Sequence, residues 1–271
     1  MTLYLSDLDG TLIDQSLTIN PTSAQLLSKA IQRGILFSIA TARSAATAVQ
    51  IIQNIPIQIP IILMNGAMIF DCKQEHYIHR NVIAKESVRY ILDACHELHH
   101  TGFMFCHKDD MLYVYHDELQ TPDEKDFYRN RKNRPYKKFI QTNDFYQLLD
   151  QETVYFSFIG NYETLYALRE KIKPIQGIGY TFYKDAYTPS YFLEIFSDHA
   201  SKEHAASYLK EYVKADRLVS FGDNLNDLGM LRASDLSIAV SNGVEELKNV
   251  ADLVLDNRDF TAVAKYVVEN S

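Results

Sequence analysis

The sequence has few cysteines, no excess of basic residues and no long apolar run, and each shortage excludes a class of protein. Three cysteines, Cys72, Cys95 and Cys106, are too few and too odd in number for a disulfide framework, which indicates a reducing compartment. The 35 acidic and 27 basic residues give a net charge of −8, which argues against nucleic acid as a partner. No apolar run approaches the ~18 residues that a membrane helix requires.

Targeting signals are also missing, and the composition is typical of a globular protein. Asp7 and Asp9 interrupt the N-terminus before the apolar segment of a secretion signal could form. Hydrophobic residues make up 46% of the chain and charged residues 23%, close to the globular average. We therefore expect a cytoplasmic protein, a monomer or homodimer, that binds neither membranes nor nucleic acid.

The first part of the chain is predicted to alternate between strands and helices. Apolar runs predict buried strands at Leu3–Ser6, Ile35–Ala40 and Ile61–Met64. Apolar residues at helical spacing predict helices over Thr22–Arg33 and Ala45–Gln53. Strands and helices that alternate through short loops are typical of right-handed βαβ units in a parallel sheet.

The middle of the chain differs in composition from its two ends. Residues 83–190 hold most of the tyrosines, and partly alternating aromatic strands are predicted at Leu112–Tyr115, Val154–Phe158 and Gly179–Tyr183. This pattern predicts an α+β unit with an antiparallel sheet. Strand and helix alternation returns over 191–271. We therefore expect an α/β core built from residues 1–82 and 191–271, with residues 83–190 inserted as a second domain.

Polar residues follow the predicted core strands, or begin the helix after them. Ligands of open parallel sheets bind outside the carboxyl ends of the strands, so we expect these side chains to lie close together. In chain order they are Asp7, Asp9, Thr41, Arg43, Lys202, Asp223, Asn226 and Asp227. The Thr41-Ala42-Arg43 segment also offers free backbone N–H groups at a helix start, which suit an anion.

The carboxylates in this set predict a bound cation. Asp7, Asp9, Asp223 and Asp227 would repel one another at one site unless a cation neutralised them. Oxygen ligands without nearby histidine or cysteine favour Mg²⁺ over Zn²⁺. Mg²⁺ together with a lysine, a hydroxyl and backbone N–H groups provides what phosphoryl transfer requires, because that chemistry depends on positioning and charge stabilisation.

Four motifs in this order resemble those of the haloacid dehalogenase superfamily of phosphohydrolases. They are Asp7-x-Asp9-x-Thr11, Thr41 at a strand end, Lys202, and Gly222-Asp223-x-x-x-Asp227, and the Asn65-Gly66-Ala67 turn is similar to the Cof-type subfamily. The resemblance implies a Rossmann-like parallel-sheet core. Thr41 and Lys202 lie much farther apart in the chain than the roughly 50 residues that two βα units use. The inserted α+β domain is therefore similar to a C2 cap, a type that closes over the active site and helps to select substrates.

The resemblance also implies a role for each matching residue. Asp7 would attack phosphorus, and Asp9 would protonate the leaving alcohol and then activate water. Mg²⁺ would be held by the Asp7 carboxylate, the Asp9 backbone carbonyl and Asp223, while Asp227 would orient Lys202 or a metal-bound water. The phosphoryl oxygens would contact Thr41, Lys202, Asn226 and the backbone N–H groups of Leu8 and Ala42.

Some positions depart from the family or stay open. Ala42 and Glu203 stand where relatives commonly have glycine, and Glu203 could alter how closely an anionic substrate approaches. Arg43 could bind substrate or bridge core and cap, and Asn65 is a supporting residue. Six basic residues are interpreted as a solvated surface, the alternative being attraction of a polyanionic substrate: Arg129, Arg131, Lys132, Arg134, Lys137 and Lys138.

The sequence thus predicts a Mg²⁺-dependent phosphatase of small phosphorylated metabolites. Sugar phosphates come first as substrates, followed by pyridoxal phosphate or flavin mononucleotide. One alternative is phosphotransfer between sugar positions, as in phosphomannomutase relatives. A second is a zinc peptidase, since His96-Glu97-Leu98-His99-His100 matches His-Glu-x-x-His and Cys95, Cys106 and His107 lie nearby in the chain. A third is a regulator without activity, which the intact motifs disfavour.

Overall fold

The computed structural model describes residues 1–14, 16–184 and 188–271 of the chain. Residues 185–187, at the end of the predicted inserted domain, lie outside this description. The chain divides into two compact units, the first formed by Met1–His79 with Ser201–Ser271 and the second by Arg80–Ala200. In the described segments no helix is long and apolar enough to cross a membrane.

Helices and strands follow one another along both units. The helices are α1 (Pro21–Gln32), α2 (Ala45–Ile52), α3 (Lys85–Glu97), α4 (Pro122–Arg131), α5 (Tyr162–Ile172), α6 (Lys202–Tyr212), α7 (Leu228–Arg232), α8 (Glu245–Lys248) and α9 (Ala262–Glu269). The strands are β1 (Thr2–Ser6), β2 (Leu36–Ile39), β3 (Ile61–Leu63), β4 (Met68–Asp71), β5 (His76–Arg80), β6 (Phe103–Lys108), β7 (Met111–His116), β8 (Lys137–Gln141), β9 (Glu152–Gly160), β10 (Ile178–Lys184), β11 (Tyr191–Ser197), β12 (Arg217–Gly222), β13 (Leu236–Val240) and β14 (Leu253–Leu255).

The first unit is built on a parallel sheet with the strand order β14-β13-β12-β1-β2. β1 lies between two neighbours, and its Leu3 pairs with Leu36 on one side and Leu218 on the other. Leu3 and Leu5 are fully buried, because a parallel strand covered on both faces by helices meets no water. The predicted α/β fold with a parallel central sheet is confirmed.

The third predicted strand has a second role in the structure. β3 joins the parallel sheet only through the bridge between Ala40 and Ile62, and it also begins a small antiparallel sheet in the order β3-β4-β5. Met64 and Asn65 leave β3 with φ of 51° and 54°, followed by Gly66 at 93°. This left-handed turn reverses the chain into β4. The sequence pattern did not predict strand β4.

The second unit is an α+β body whose sheet has the order β10-β11-β9-β6-β7-β8. Adjacent strands are antiparallel except for β7 and β8. Buried residues of α3 and α5, among them Ile91 and Leu168, pack with Phe156 and Phe158 of β9 into one core. The unit extends beyond the predicted range 83–190, because β11 pairs with β9 and β10 rather than with the parallel sheet.

Candidate active site

Asp7 lies at the carboxyl end of β1, where the sequence placed the first motif. Its backbone N–H donates to the Phe221 carbonyl at 2.8 Å, which joins the ends of β1 and β12. The Lys202 ammonium donates to Asp7 Oδ1 and, at 2.6 Å, to Asp227 Oδ1. These three side chains are at most 8% exposed, so one lysine is shared by two buried carboxylates.

Asp223 completes an acidic cluster around this lysine. Oxygen atoms of Asp7, Asp223 and Asp227 lie within 4.8 Å of one another. The Thr11 hydroxyl donates to Asp223 Oδ1 at 3.1 Å, and Asp227 Oδ2 accepts the backbone N–H of Asp223 at 3.0 Å. Gly10 has φ of 84°, and a Cβ there would collide with the Asp223 carboxylate, so this turn requires glycine.

Burial and neighbouring charge act against each other in this cluster. Burial raises the pKa of the Asp7 carboxyl well above its usual range, against the lowering effect of Lys202. Burial and the nearby Asp227 raise the pKa of Asp223 to about 6. Burial alone would lower the pKa of Lys202, yet Asp7 and Asp227 outweigh it and raise that pKa. One lysine cannot neutralise three carboxylates, so ionisation of all three in this cluster requires a further cation.

The Asp9 side chain is not part of this carboxylate grouping and binds Arg43 instead. The Arg43 guanidinium donates through Nε to Asp9 Oδ2 at 2.7 Å and through Nη2 to Oδ1 at 2.5 Å. The Asp9 side chain is 45% exposed and that of Arg43 is 22% exposed. This two-pronged hydrogen bond fixes the orientation of the Asp9 carboxylate. The contact differs from both roles expected for Arg43, which were substrate binding and a bridge between core and cap.

The second motif lies where β2 meets β3. The Thr41 side chain is fully buried, its N–H donates to the Ile62 carbonyl at 3.0 Å, and its hydroxyl accepts the Arg43 N–H at 3.1 Å. Leu8 is buried in the core, so only its backbone can contribute to a site. Ala42 is exposed between Thr41 and Arg43.

Asn65 and Asn226 form a separate polar pair in the same unit. Asn226 Nδ2 donates to Asn65 Oδ1 at 3.1 Å. A Cβ at Gly66 would collide with the Ser201 carbonyl, so the left-handed turn packs directly against the residue that precedes Lys202. Glu203 is exposed and lies beside α7. Its Oε2 would lie 2.8 Å from a Cβ at Gly229.

Two asparagines that the sequence motifs did not mark support the loop after β1. Asn242 Nδ2 donates to the Gly10 carbonyl at 2.6 Å, and buried Asn257 donates to the Thr11 carbonyl at 2.8 Å. Each follows a strand of the parallel sheet, β13 or β14. The rule that polar residues gather at the carboxyl ends of strands could have found both.

The His-Glu-x-x-His pattern does not form a pair of ligands on one helix. α3 ends at Glu97, which binds Lys171, and His99 has a left-handed φ of 48°. His100 lies beyond the helix with its ring 5.9 Å from that of Phe158, and burial lowers its pKa. Among the described residues, the only grouping of histidine, cysteine and acidic side chains suited to a metal is Asp7, Asp223 and Asp227.

The neighbouring thiols are also explained by packing. Cys95 and Cys106 are free and buried, and burial raises their pKa to about 12 and about 11. The His107 Nδ1 lies 3.2 Å from Glu152. These contacts provide no recognisable metal site.

The six basic residues predicted to form a solvated surface differ in their exposure to solvent. Arg129, Lys132, Arg134 and Lys138 are exposed. Lys137 is buried, its Nζ lies 5.3 Å from the centre of the Phe105 ring, and Arg131 lies 4.0 Å over the Phe127 ring. The prediction of a uniformly solvated surface is therefore wrong for Lys137.

Comparisons with known proteins identify the family of the chain. A model of the haloacid dehalogenase-like hydrolase family matches residues 4–267. The chain is 22% identical over 270 residues to the 5-amino-6-(5-phospho-D-ribitylamino)uracil phosphatase of Bacillus subtilis, covering 98% of this chain and 96% of that one. It is 22% identical over 267 residues to the pyridoxal phosphate phosphatase of Escherichia coli, covering 96% and 95%.

A solved structure shows the same fold. The haloacid dehalogenase-like hydrolase from Bacteroides thetaiotaomicron superimposes with a TM-score of 0.78 at 20% identity, covering 99% of this chain and 98% of that one. The family model spans both segments that carry the four motifs. The chain therefore belongs to the haloacid dehalogenase-like hydrolase family, and the resemblance predicted from the sequence is confirmed.

Proposed function

We propose that this protein is a Mg²⁺-dependent phosphatase that hydrolyses small phosphorylated metabolites through a phosphorylated Asp7. One observation carries the proposal: Asp7, Asp223 and Asp227 gather around Lys202 at the ends of two adjacent parallel strands. The two relatives named above are phosphatases of a phosphoribitylamino uracil and of pyridoxal phosphate. We place sugar phosphates first among the substrates, followed by pyridoxal phosphate and flavin mononucleotide.

The donor set fits Mg²⁺. Asp7, Asp223 and Asp227 offer carboxylate oxygens within 4.8 Å of one another, and oxygen is the ligand that this hard cation prefers. Asp227 already binds Lys202 and two backbone N–H groups, so Asp7 and Asp223 have more free lone pairs. We assign the metal to these two carboxylates and the Asp9 backbone carbonyl. Bound there, Mg²⁺ would offset the negative charge of phosphate and carboxylates.

The first half of the reaction transfers the phosphoryl group to Asp7. Its carboxylate oxygen forms a bond to phosphorus as the bond from phosphorus to the alcohol oxygen breaks. Asp9 is protonated at this stage and gives its proton to that oxygen, so the alcohol leaves uncharged and Asp9 becomes a carboxylate. Arg43 limits the orientations of the Asp9 carboxylate to the one that its guanidinium holds.

The second half releases inorganic phosphate. Asp9, now ionised, takes a proton from a water molecule whose oxygen bonds to phosphorus, and the bond between phosphorus and Asp7 breaks. Lys202 holds a positive charge beside Asp7 throughout and stabilises the phosphoryl oxygens. We assign further contacts with these oxygens to Thr41, Asn226 and the backbone N–H groups of Leu8 and Ala42.

The second unit is assigned by the family resemblance. We propose that it is a C2 cap that selects substrates, with limits at Arg80 and Ala200. The free cysteines of the chain fit the proposed cytoplasmic location.

Phosphate release from a panel of phosphorylated metabolites tests the proposal. With Mg²⁺ present and no acceptor added, we expect inorganic phosphate to form, to stop forming with a chelator, and to form again when excess Mg²⁺ is added. Transfer of phosphate to a second sugar position without release would favour the phosphotransferase alternative. No turnover of any metabolite would contradict both.

A further inference from the structure

The loop that follows β13 contacts both loops that carry the proposed metal ligands. Asn242 Nδ2 donates to the Gly10 carbonyl at 2.6 Å, and Gly10 follows Asp9 directly in the loop after β1. The Val244 N–H donates to the Asp223 carbonyl at 2.8 Å in the loop after β12. All three loops belong to the first unit. One short segment is therefore bonded to both parts of the chain that we propose hold Mg²⁺.

This segment also packs closely against Asp223. A Cβ at Gly243 would lie 2.7 Å from the Asp223 carbonyl oxygen, so a larger residue there would push the two loops apart. Gly10 approaches the Asp223 carboxylate just as closely from the loop after β1. Because both approaches leave no space for a Cβ, a shift of either neighbouring loop would also displace Asp223.

The loop after β14 provides a second contact with the first motif. Asn257 Nδ2 donates to the Thr11 carbonyl at 2.8 Å, and the Asn257 N–H donates to Ser241 Oγ at 3.1 Å. The Thr11 hydroxyl in turn donates to Asp223 Oδ1 at 3.1 Å. Asn242 and Asn257 therefore bind two successive carbonyls, and the second of these belongs to the residue that binds Asp223.

The burial of Asn257 is not explained by stability. The residue is 0% exposed, and its Oδ1 has no hydrogen bond to any described residue. A buried polar atom without a partner destabilises the folded chain, and an apolar side chain of similar size would avoid that cost. The Asn257 amide does provide a donor to the Thr11 carbonyl. An unsatisfied atom beside such a contact is typical of a residue kept for the site that it supports.

We propose that Asn242 and Asn257 are positioning residues that raise the affinity of the site for its metal. Two of the three ligands assigned to the metal, the Asp9 backbone carbonyl and the Asp223 carboxylate, lie in the loops that these asparagines hold. Groups that orient metal ligands without touching the metal commonly change its affinity by about 10- to 100-fold. The metal site rests on the proposed function, and the positioning role deepens it.

Titration of the metal-free protein with Mn²⁺ tests the proposal in the absence of substrate. Mn²⁺ prefers the same carboxylate and carbonyl oxygens as Mg²⁺, and the electron paramagnetic resonance signal of unbound Mn²⁺ measures its binding. We expect the dissociation constant to rise at least about tenfold in Asn242→Ala. Asn270→Ala is the matched control, because Asn270 is also exposed and its Nδ2 donates to the Tyr266 carbonyl in α9. The control should bind Mn²⁺ as the wild-type chain does.

A second variant separates positioning from stability. Asn257→Leu removes the unpartnered oxygen but leaves the Thr11 carbonyl without its donor, so the two changes act in opposite directions on the free energy of unfolding. We expect the midpoint of urea unfolding to stay near that of the wild-type chain while the dissociation constant of Mn²⁺ rises at least about fivefold. A purely structural role would lower the midpoint and leave Mn²⁺ binding unchanged, which would contradict the proposal for Asn257.

Phosphatase assays check that the effect acts through the metal. In Asn242→Ala the Mg²⁺ concentration that gives half-maximal turnover of p-nitrophenyl phosphate should rise at least about tenfold. KM for that substrate at saturating Mg²⁺ should stay within about twofold of the wild-type value. A raised KM with an unchanged requirement for Mg²⁺ would show that the asparagine acts on substrate binding and would overturn the proposal.

The outcomes distinguish this inference from the proposed function. Equal Mn²⁺ affinity in Asn242→Ala and the wild-type chain would overturn the positioning role and leave the metal site in place. No Mn²⁺ binding by the wild-type chain would contradict the metal site and the positioning role together. A comparable loss in Asn270→Ala would show that the contact with the loop is not the cause. Circular dichroism spectra check that each variant is folded, and Asn242→Ala, at an exposed position, decides the matter if Asn257→Leu does not fold.

Discussion

Each unit of the molecule buries a lysine, and the two lysines differ in what surrounds them. Lys202 and Lys137 are 2% and 8% exposed. Lys202 contacts two carboxylates, and its pKa is raised. Lys137 lies over the Phe105 ring, and burial together with Arg131 lowers its pKa to about 7.

The difference shows that burial alone does not decide the charge of a lysine. Desolvation disfavours the ammonium at both positions, but only Lys202 has carboxylates in contact to outweigh it. The first unit therefore keeps a fixed positive charge where we propose that phosphate binds. The second unit holds a lysine that changes charge near neutral pH.

The largest expected effect is that of removing the charge of Lys202. Lys202→Met would leave Asp7 and Asp227 buried without their shared cation. We expect phosphatase turnover to fall roughly 1,000-fold, because a preorganised cation at the phosphoryl group is lost. Measurement of phosphate release at saturating substrate checks this. Lys210→Met, which lies on the same helix as Lys202 and breaks a partly exposed pair with Asp235, is the matched control. A comparable loss of kcat in that variant would show that the effect is not specific to Lys202.

The second effect concerns stability and pH at Lys137. Between pH 7 and 10.5 the unfolded chain keeps this lysine protonated while the folded chain releases the proton. The unfolded state then binds more protons, so the free energy of unfolding should rise with pH by up to about 1.4 kcal/mol per unit. Below pH 7 both states are protonated and this gain is absent.

Urea unfolding from pH 7 to 9 measures this contribution. Lys137→Met should be more stable than the wild-type chain at pH 7, and its advantage should shrink by about 2 kcal/mol at pH 9. Taking the difference between the two proteins cancels the titration of other groups. A difference that does not change with pH would show that Lys137 keeps its charge when folded.

A smaller effect is expected at Arg43, which forms an ion pair with the exposed carboxylate of Asp9. Arg43→Lys keeps the charge beside Asp9 but loses the two-pronged hydrogen bond, so we expect kcat to fall about tenfold. Arg258→Lys changes a similar exposed pair with Asp256 and is the control. Unchanged turnover in Arg43→Lys would show that the orientation of Asp9 does not depend on the guanidinium.

The sequence predicted the site better than its surroundings. Asp7 and Asp223 were predicted to lie together, and they do, because the ends of parallel strands meet at one edge of the sheet, so an apolar run followed by polar residues carries spatial information. Nothing in the sequence indicated that Arg43 would bind Asp9. That contact depends on the direction of two long side chains, which spacing does not encode.

The unpredicted parts of the fold depend on pairing between distant segments. β11 is an aromatic run that suits either sheet, and its hydrogen bonds to β9 and β10 decide its place. The turn between β4 and β5 is fixed by the Asp71 side chain, which accepts the N–H groups of Lys73 and Gln74. Lys137 is buried against the Phe105 ring of β6, a contact between segments that are distant in the chain.

Phosphate release by Asp7→Asn tests the central claim most directly. This variant keeps the size of the side chain and removes the carboxylate that we propose attacks phosphorus. We expect no detectable turnover of p-nitrophenyl phosphate with Mg²⁺ present, in a protein whose circular dichroism spectrum matches that of the wild-type chain. Near-normal turnover by a folded Asp7→Asn variant would contradict the proposed mechanism.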